Sequence, residues 1–471
     1  MAQLGSSHFL SLPRPDIQTG PSAGIVDTTT LAAHDFDVDT RTGFMPPQTP
    51  LRRLSSKWGS WETLLDVAIA EPLQLGEKAG LLESEKEVSE RWRERVRDAP
   101  VLSIEEMKTS EVVLRRAHLV LAWIMHFYVH SLPPTEPIRI PASITIPLLQ
   151  ISAQLQLPPM LTYSDDVLYN WNLGETDEDA LPTESNIRCQ TTFTSTNDEA
   201  EFYLTSARME LAGVDALDLM RATMDEAFVG DDIAIRRITE YLHQLEVVIR
   251  RLRVLLLDVK NGCRPDVFYN DIRPWFRGED SQSGRKWVFE GIEQDPILVP
   301  PTELSGPSAG QSALIHAIDI FLGVAQFSHG KEITGHATLE DSALQTPKAA
   351  FLKRMQSYMP RHHRGFLNHL SNNPRPLRDF VFSTSTSESD KENGVALLEA
   401  YNAAVIALKE FRDAHMIIVA LYIIGPARHS RQPASTDQSV GTNKLPLKGT
   451  GGTDLIQFLK SVREQTKGAL M

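Results

Sequence analysis

Cysteine is nearly absent: Cys189 and Cys263 are the only two in 471 residues. Two thiols exclude a disulfide framework and a four-cysteine zinc site, and they suit a reducing, intracellular compartment. Basic side chains are also short, with 47 Lys and Arg against 61 Asp and Glu, a formal charge of −14. Without a Lys/Arg stripe, this balance argues against nucleic acid or an anionic membrane as the main partner, but says nothing about a small-molecule pocket. Long apolar runs are missing too. The longest uninterrupted one, Met416 to Ile424, has nine residues, whereas a bilayer-spanning helix needs about 20. The N-terminal Met-Ala-Gln-Leu-Gly-Ser-Ser-His lacks a basic region followed by an apolar core, so no secretory signal is read and the expected location is cytoplasmic. Internal repeats and βαβ alternation are absent as well, which leaves a mainly α reading.

What is present is an ordinary globular composition, 41% hydrophobic and 23% charged, long enough for two or three domains. Residues 1–50 are rich in Pro, Gly, Ser and Thr and read as an irregular arm. Helices are expected over Glu85 to Val96 and Ser110 to His130. The prolines of Ile138 to Leu161 (Pro141, Pro147, Pro158, Pro159) favour extended or turn structure there. Polar residues and Pro182 around Leu181 to Thr196 mark a boundary, giving a small N-terminal domain at 51–193 and a more strongly helical one at 194–471. The second opens on Thr196-x-x-Glu199, a capping-box pattern. Apolar residues then recur every three or four positions from Ile235 to Val259, with Asn261-Gly262 as the stop. Further helices are expected from Ser308 to Phe327 and from Val395 to Ile424, the latter closed by Gly425-Pro426. Between them Phe382 to Gly394 reads as a Ser/Thr/acidic loop. Ala427 to Lys448, a polar, irregular stretch of 22 residues, is long enough for a functional lid, and a mobile loop is expected at about 427–452.

The stripe Tyr401, Ala404, Leu408, Phe411, His415, Ile418, Tyr422 carries one histidine. It is either a core residue bonded to a neighbour or an axial metal or haem ligand, since a neutral imidazole on a rigid helix in an apolar wall can hold iron. His126 and His130 are four apart on a helix, but Phe127 stands where a zinc protease needs its glutamate, so they read as polar edges of a packed helix. His362-His363 between Arg361 and Arg364 reads as a solvated or interface turn. Gly306 to Ser312 opens a helix whose N–H groups and Ser308 hydroxyl can cap or receive an anion; Gly449 to Asp454 precedes another. Neither has the lysine of a phosphate loop. In Phe268-Tyr-Asn-Asp-Ile-Arg-Pro-Trp-Phe276, aromatics flank Arg273, which can grip a carboxylate bidentately or serve as a surface ion-pair residue.

Seven segments in order, from about residue 55 to the C-terminus, resemble the indoleamine 2,3-dioxygenase family, fungal-type members in particular. They are Leu157 to Trp171, Phe202 to Ser206, Phe268 to Arg273, Ser308 to Ser312, Tyr358 to Arg364, Phe411 to Met416 and Lys448 to Leu455. The resemblance implies a large all-helical domain holding haem b beside a small mixed N-terminal domain. It implies a dioxygenase that inserts both atoms of O2 across the indole C2–C3 bond of L-tryptophan, giving N-formylkynurenine on the route towards NAD. By the same resemblance His415 is the proximal iron ligand, with O2 on the opposite face. Phe268 and Tyr163 are aromatic walls around the indole, Arg273 clamps the substrate carboxylate, and Ser206 is a distal hydroxyl. Ser308, Ala309 and Gly310 lie over the distal face, and Thr450 and Gly451 belong to the loop that closes on substrate. A reductant keeping the iron ferrous and a monomeric state are also expected. The chemistry agrees: the cofactor carries the oxygen chemistry, and the protein supplies a ligand, a dry pocket and orientation.

Two positions depart from the animal pattern. Pro307 stands where a second glycine is usual, and Asp166 where a less polar residue is usual. The alternatives are an oxygen-binding haem protein with little turnover, or a dioxygenase of another indole.

Overall fold

The computed structural model describes residues 36–71, 73–174, 180–281, 285–324, 353–373, 375–387, 391–429 and 455–471. Among these the chain is mainly α. Helices α1 (Gly59–Ala70), α2 (Glu83–Asp98) and α3 (Glu111–His130) come first. Ser110 caps α3 through the Val113 N–H, which satisfies one of the helix's orphan donors. By length and mean hydropathy, 1.3, α3 is apolar enough to cross a membrane, beyond what the nine-residue run suggests, yet 89% of that window is buried inside the protein. It is the axis of the first core cluster, with Trp123 and Phe127 fully enclosed.

Strand β1 (Ile138–Ile140) pairs in parallel with β4 (Trp287–Phe289), and β2 (Trp171–Asn172) pairs antiparallel with β3 (Arg188–Cys189). Between β1 and β2 lies α4 (Ala142–Leu155), where the prolines argued for irregular chain. Pro147 removes one backbone bond, but Ile144, Leu148, Ile151 and Leu155 bury a common face and offset that loss.

Next come α5 (Asn197–Ala212), α6 (Val214–Val229) and the 31-residue α7 (Asp232–Gly262). Thr196 caps α5 as its motif foretells. Glu199, however, turns back to the Phe193 and Thr194 N–H groups and to the Tyr203 hydroxyl. The 308–327 segment is not one helix: a 3-10 turn (Ala309–Gln311) breaks at extended Ser312 before α8 (Ala313–Phe321). The His362-His363 turn is likewise helical, within α9 (Arg361–Ser371), and His363 is buried edge-on against Phe44, 4.9 Å between ring centroids. Phe382 lies inside α10 (Leu377–Ser385), shortening the expected loop.

Helix α11 (Lys391–Val419) crosses α7 to form the second core cluster, lined by Leu242, Ile249, Leu397, Tyr401, Ala404 and Leu408. Gly425-Pro426 does not end it. A π segment (Ala420–Ile424) leads into α12 (Gly425–His429), where Pro426 sits in a first turn that needs no N–H from it. Finally α13 (Leu455–Gly468) packs against α11. Part of the N-terminal arm is packed: Phe36 and Phe44 lie edge-on against Phe366 at 6.0 and 5.4 Å between ring centroids. Residues 1–35 and 430–454 lie outside the described residues, so the loop expected at about 427–452 is described only at 427–429, within α12, and Thr450 and Gly451 fall outside.

Candidate functional site

Three segments meet against the first core cluster. On α5, Phe202, Ser206 and Glu210 recur every four residues and therefore share a face. The Phe268 ring lies 4.6 Å from Phe202 and 5.7 Å, edge-on, from Tyr422. Tyr422 continues the stripe that contains His415 and is held by its hydroxyl on the Cys263 carbonyl at 2.5 Å. The fold thus brings the His415 helix, Phe268 and the Ser206 helix together. Ser206 is half-buried, and its hydroxyl makes no hydrogen bond among the described residues.

His415 is also half-buried, and its imidazole likewise makes no hydrogen bond among the described residues. Desolvation, with Arg412 adding to it, pulls its pKa down to about 4, so the ring is neutral at physiological pH and keeps a lone pair to offer. Arg412, one turn earlier, is tied to Asp319 of α8 at 2.5 Å. On the same helix His316 holds the Gly310 carbonyl at 2.9 Å. Helix α8 therefore connects the His415 helix to the Ser308–Gly310 turn, in which the Ser308 hydroxyl caps the Gly310 N–H at 3.2 Å.

Arg273 is buried beside the Tyr269 ring, 5.8 Å from its centroid. Desolvation first, then Arg277, lower its pKa to about 10. A buried guanidinium under that stress gains from an incoming carboxylate. Its segment is fastened from behind by α3. His126 Nδ1–H donates to the Trp275 carbonyl at 2.7 Å while Nε2 accepts the Leu161 N–H at 3.3 Å, and His130 bonds the Arg277 carbonyl at 2.9 Å. Burial lowers the pKa of both rings, to about 4 for His126, so they are neutral braces.

Tyr163 begins next to this brace. Asp165 receives the Thr162 N–H and hydroxyl and pairs with His118 at 2.8 Å, which fixes the loop that carries the ring. Asp166 is buried, one carboxyl oxygen has no hydrogen-bond partner, and burial together with Asp165 raises its pKa well above the carboxylate range. Burial therefore favours its uncharged form.

The Arg273 and Ser308 segments also pass at backbone contact. A Cβ on Gly306 would stand 1.8 Å from the Phe276 carbonyl oxygen, and one on Gly278 2.0 Å from that of Leu304. Gly306→Ala is expected to cost about 2–3 kcal/mol in chemical denaturation, because the neighbour is backbone and cannot turn aside. A change below about 0.5 kcal/mol, the range of surface substitutions, would show the approach to be loose.

The comparisons with known proteins agree with this architecture. The family model described as indoleamine 2,3-dioxygenase matches residues 32–469. The chain belongs to the indoleamine 2,3-dioxygenase family. Among its relatives, an indoleamine 2,3-dioxygenase of Saccharomyces cerevisiae is 32% identical over 461 residues, spanning 92% of each chain. Indoleamine 2,3-dioxygenase 1 of Mus musculus is 29% identical over 438 residues, 93% of this chain and 95% of its own. A 6-hydroxytryptophan 2,3-dioxygenase of Fusarium equiseti is 27% identical over 445 residues, 92% and 97% respectively.

Indoleamine 2,3-dioxygenases are haem-dependent enzymes acting on tryptophan or related indoles. The residues present fit a haem: a neutral, uncommitted imidazole on a rigid helix, with Ile418 and Tyr422 along the same apolar stripe. Glu210, Gln311, Ser312, His126, His316 and Asp319 were not singled out as site residues by sequence. The paired histidines of α3 and the Gly306–Ser312 segment, which contains Gln311 and Ser312, were the signals the sequence held for them.

Proposed function

We propose that this chain cleaves the indole C2–C3 bond of L-tryptophan with O2, giving N-formylkynurenine on the route towards NAD. The observation that carries the reading is Arg273, a buried cation close in sequence to Phe268, which itself packs against the stripe of His415. His415 holds the iron. The bound haem supplies the oxygen chemistry. Arg273 binds the substrate carboxylate bidentately, Phe268 and Tyr163 confine the indole, and Ser206 offers a hydroxyl on the α5 face. Ser308, Ala309 and Gly310 shape the pocket's other side. No side chain has to act as a strong base, which suits a pocket of rings and one guanidinium. In this reading the protein is a cytoplasmic monomer with a reductant keeping the iron ferrous. Its small N-terminal domain ends near 193, and the helical haem domain follows.

A second reading, a hydroxylated indole as substrate, is favoured by one observation: Asp166, a buried acid whose pKa burial raises and one of whose oxygens has no hydrogen-bond partner among the described residues, lies three residues from Tyr163. Steady-state comparison of L-tryptophan with its 5- and 6-hydroxy derivatives separates the two. Higher kcat/KM for tryptophan upholds the first reading; a preference of about tenfold or more for a hydroxylated indole installs the second.

A further inference from the structure

Glu210, near the C-terminal end of α5, is a carboxyl only 2% exposed. One of its oxygens accepts two hydroxyl groups, that of Tyr163 at 2.9 Å and that of Ser312 at 2.7 Å. Its other oxygen is buried without a hydrogen-bond partner. The two donors come from segments 149 positions apart, so the carboxyl fastens the Tyr163 loop to the end of the Ser308–Ser312 segment. A second fastening runs parallel to it. The Tyr163 N–H donates to the Gln311 side-chain oxygen at 2.9 Å, and the Gln311 amide donates to the Gly306 carbonyl at 3.0 Å.

We propose that Glu210 is a positioning residue for the dioxygenase reaction: by holding the Tyr163 phenol and the Ser312 hydroxyl on one oxygen, it sets the spacing between the Tyr163 ring and the Ser308–Gly310 turn. The inference rests on the reading that these two elements face the substrate. Gln311 fixes where the Tyr163 backbone enters; Glu210 fixes where its ring ends. Without Glu210 the ring is tethered at one end only, and the pocket wall gains the freedom that bound substrate must then remove.

The carboxyl's chemistry makes this fastening sensitive to protonation. Burial raises its pKa to about 7, opposed by the hydrogen bonds from Ser312 and Tyr163. Tyr163 is the titratable group that faces it, itself pushed well above its ordinary range, with Asp166 beyond on the same segment. Among the described residues no charged side chain acts on the carboxyl. The ionised form accepts both hydroxyls in charge-assisted bonds, which are roughly twice as strong as neutral ones, so the fastening tightens as pH rises through about 7. Folding stability runs the other way. A carboxyl whose folded pKa lies above its ordinary 4.5 contributes stability that is present at low pH and lost between about 4.5 and about 7.

Two variants test the proposal. Glu210→Gln keeps an oxygen for both hydroxyls and removes the titration; Glu210→Ala removes both. For the wild type, KM for tryptophan is expected to fall severalfold between about pH 6 and pH 8, one unit either side of the carboxyl's about 7. In Glu210→Gln that step disappears, and its KM at neutral pH stays within about threefold of the wild type. Glu210→Ala is expected to raise KM about tenfold with kcat changed far less. Thermal unfolding adds a readout that needs no turnover: the loss of melting temperature from pH 5 to pH 8 is smaller in Glu210→Gln than in the wild type. If the wild type leaves tryptophan intact, the functional reading fails and this slope alone decides on the coupled carboxyl. Wild-type KM values and pH profile in both variants, or an unchanged stability slope in Glu210→Gln, would overturn the proposal.

Discussion

His415→Ala is expected to fold and to lose haem, with affinity reduced about 100-fold or more, since even weakening the groups that orient a metal ligand costs 10- to 100-fold. The fold should survive because the imidazole makes no hydrogen bond among the described residues and is half-buried, so its removal strands no partner. Haem content per chain, measured as the pyridine adduct, checks the first expectation, and circular dichroism the second. Added imidazole, which can enter the space left by the side chain, should restore part of the binding. A variant with wild-type haem content and an unchanged spectrum would refute the assignment of the ligand.

Arg273→Ala is expected to lower kcat/KM for tryptophan about 100-fold, which corresponds to about 2.7 kcal/mol at about 1.36 kcal/mol per tenfold. The size follows from losing a bidentate, charge-assisted contact in a buried setting. Because desolvation already lowers the Arg273 pKa to about 10, the free enzyme is relieved rather than harmed by the change, and the loss should appear on substrate binding. The control is an indole without a carboxylate. On such a substrate the variant should match the wild type, and an equal loss on both would mean that Arg273 shapes the pocket instead of gripping the acid.

The sequence pattern disclosed single residues of the site better than the links between them. His415 interrupts an apolar stripe, and Arg273 sits among aromatics, so local spacing raised each. Glu210 gave no such signal because its partners, Tyr163 and Ser312, are 47 and 102 positions away. His126 reads from sequence as a polar edge of a packed helix rather than a zinc ligand, and its bond to Trp275, 149 positions away, makes that edge a brace for the Arg273 segment. Local rules also misplaced some elements. Pro147 and Pro426 read as helix breakers, but a buried apolar face retains the first and a π turn accommodates the second. For Pro147 tertiary packing outweighs a local preference worth about 3 kcal/mol or less, whereas Pro426 sits in a first turn where no N–H is needed.

The central claim is that this chain uses a His415-ligated haem to insert O2 into the indole ring of tryptophan. Its most direct test is turnover of L-tryptophan by the ferrous, haem-loaded protein under 18O2, with the product analysed by mass spectrometry. The account predicts N-formylkynurenine carrying two labelled oxygens. No product above a free-haem control, or a product with a single label and an intact ring, would contradict it.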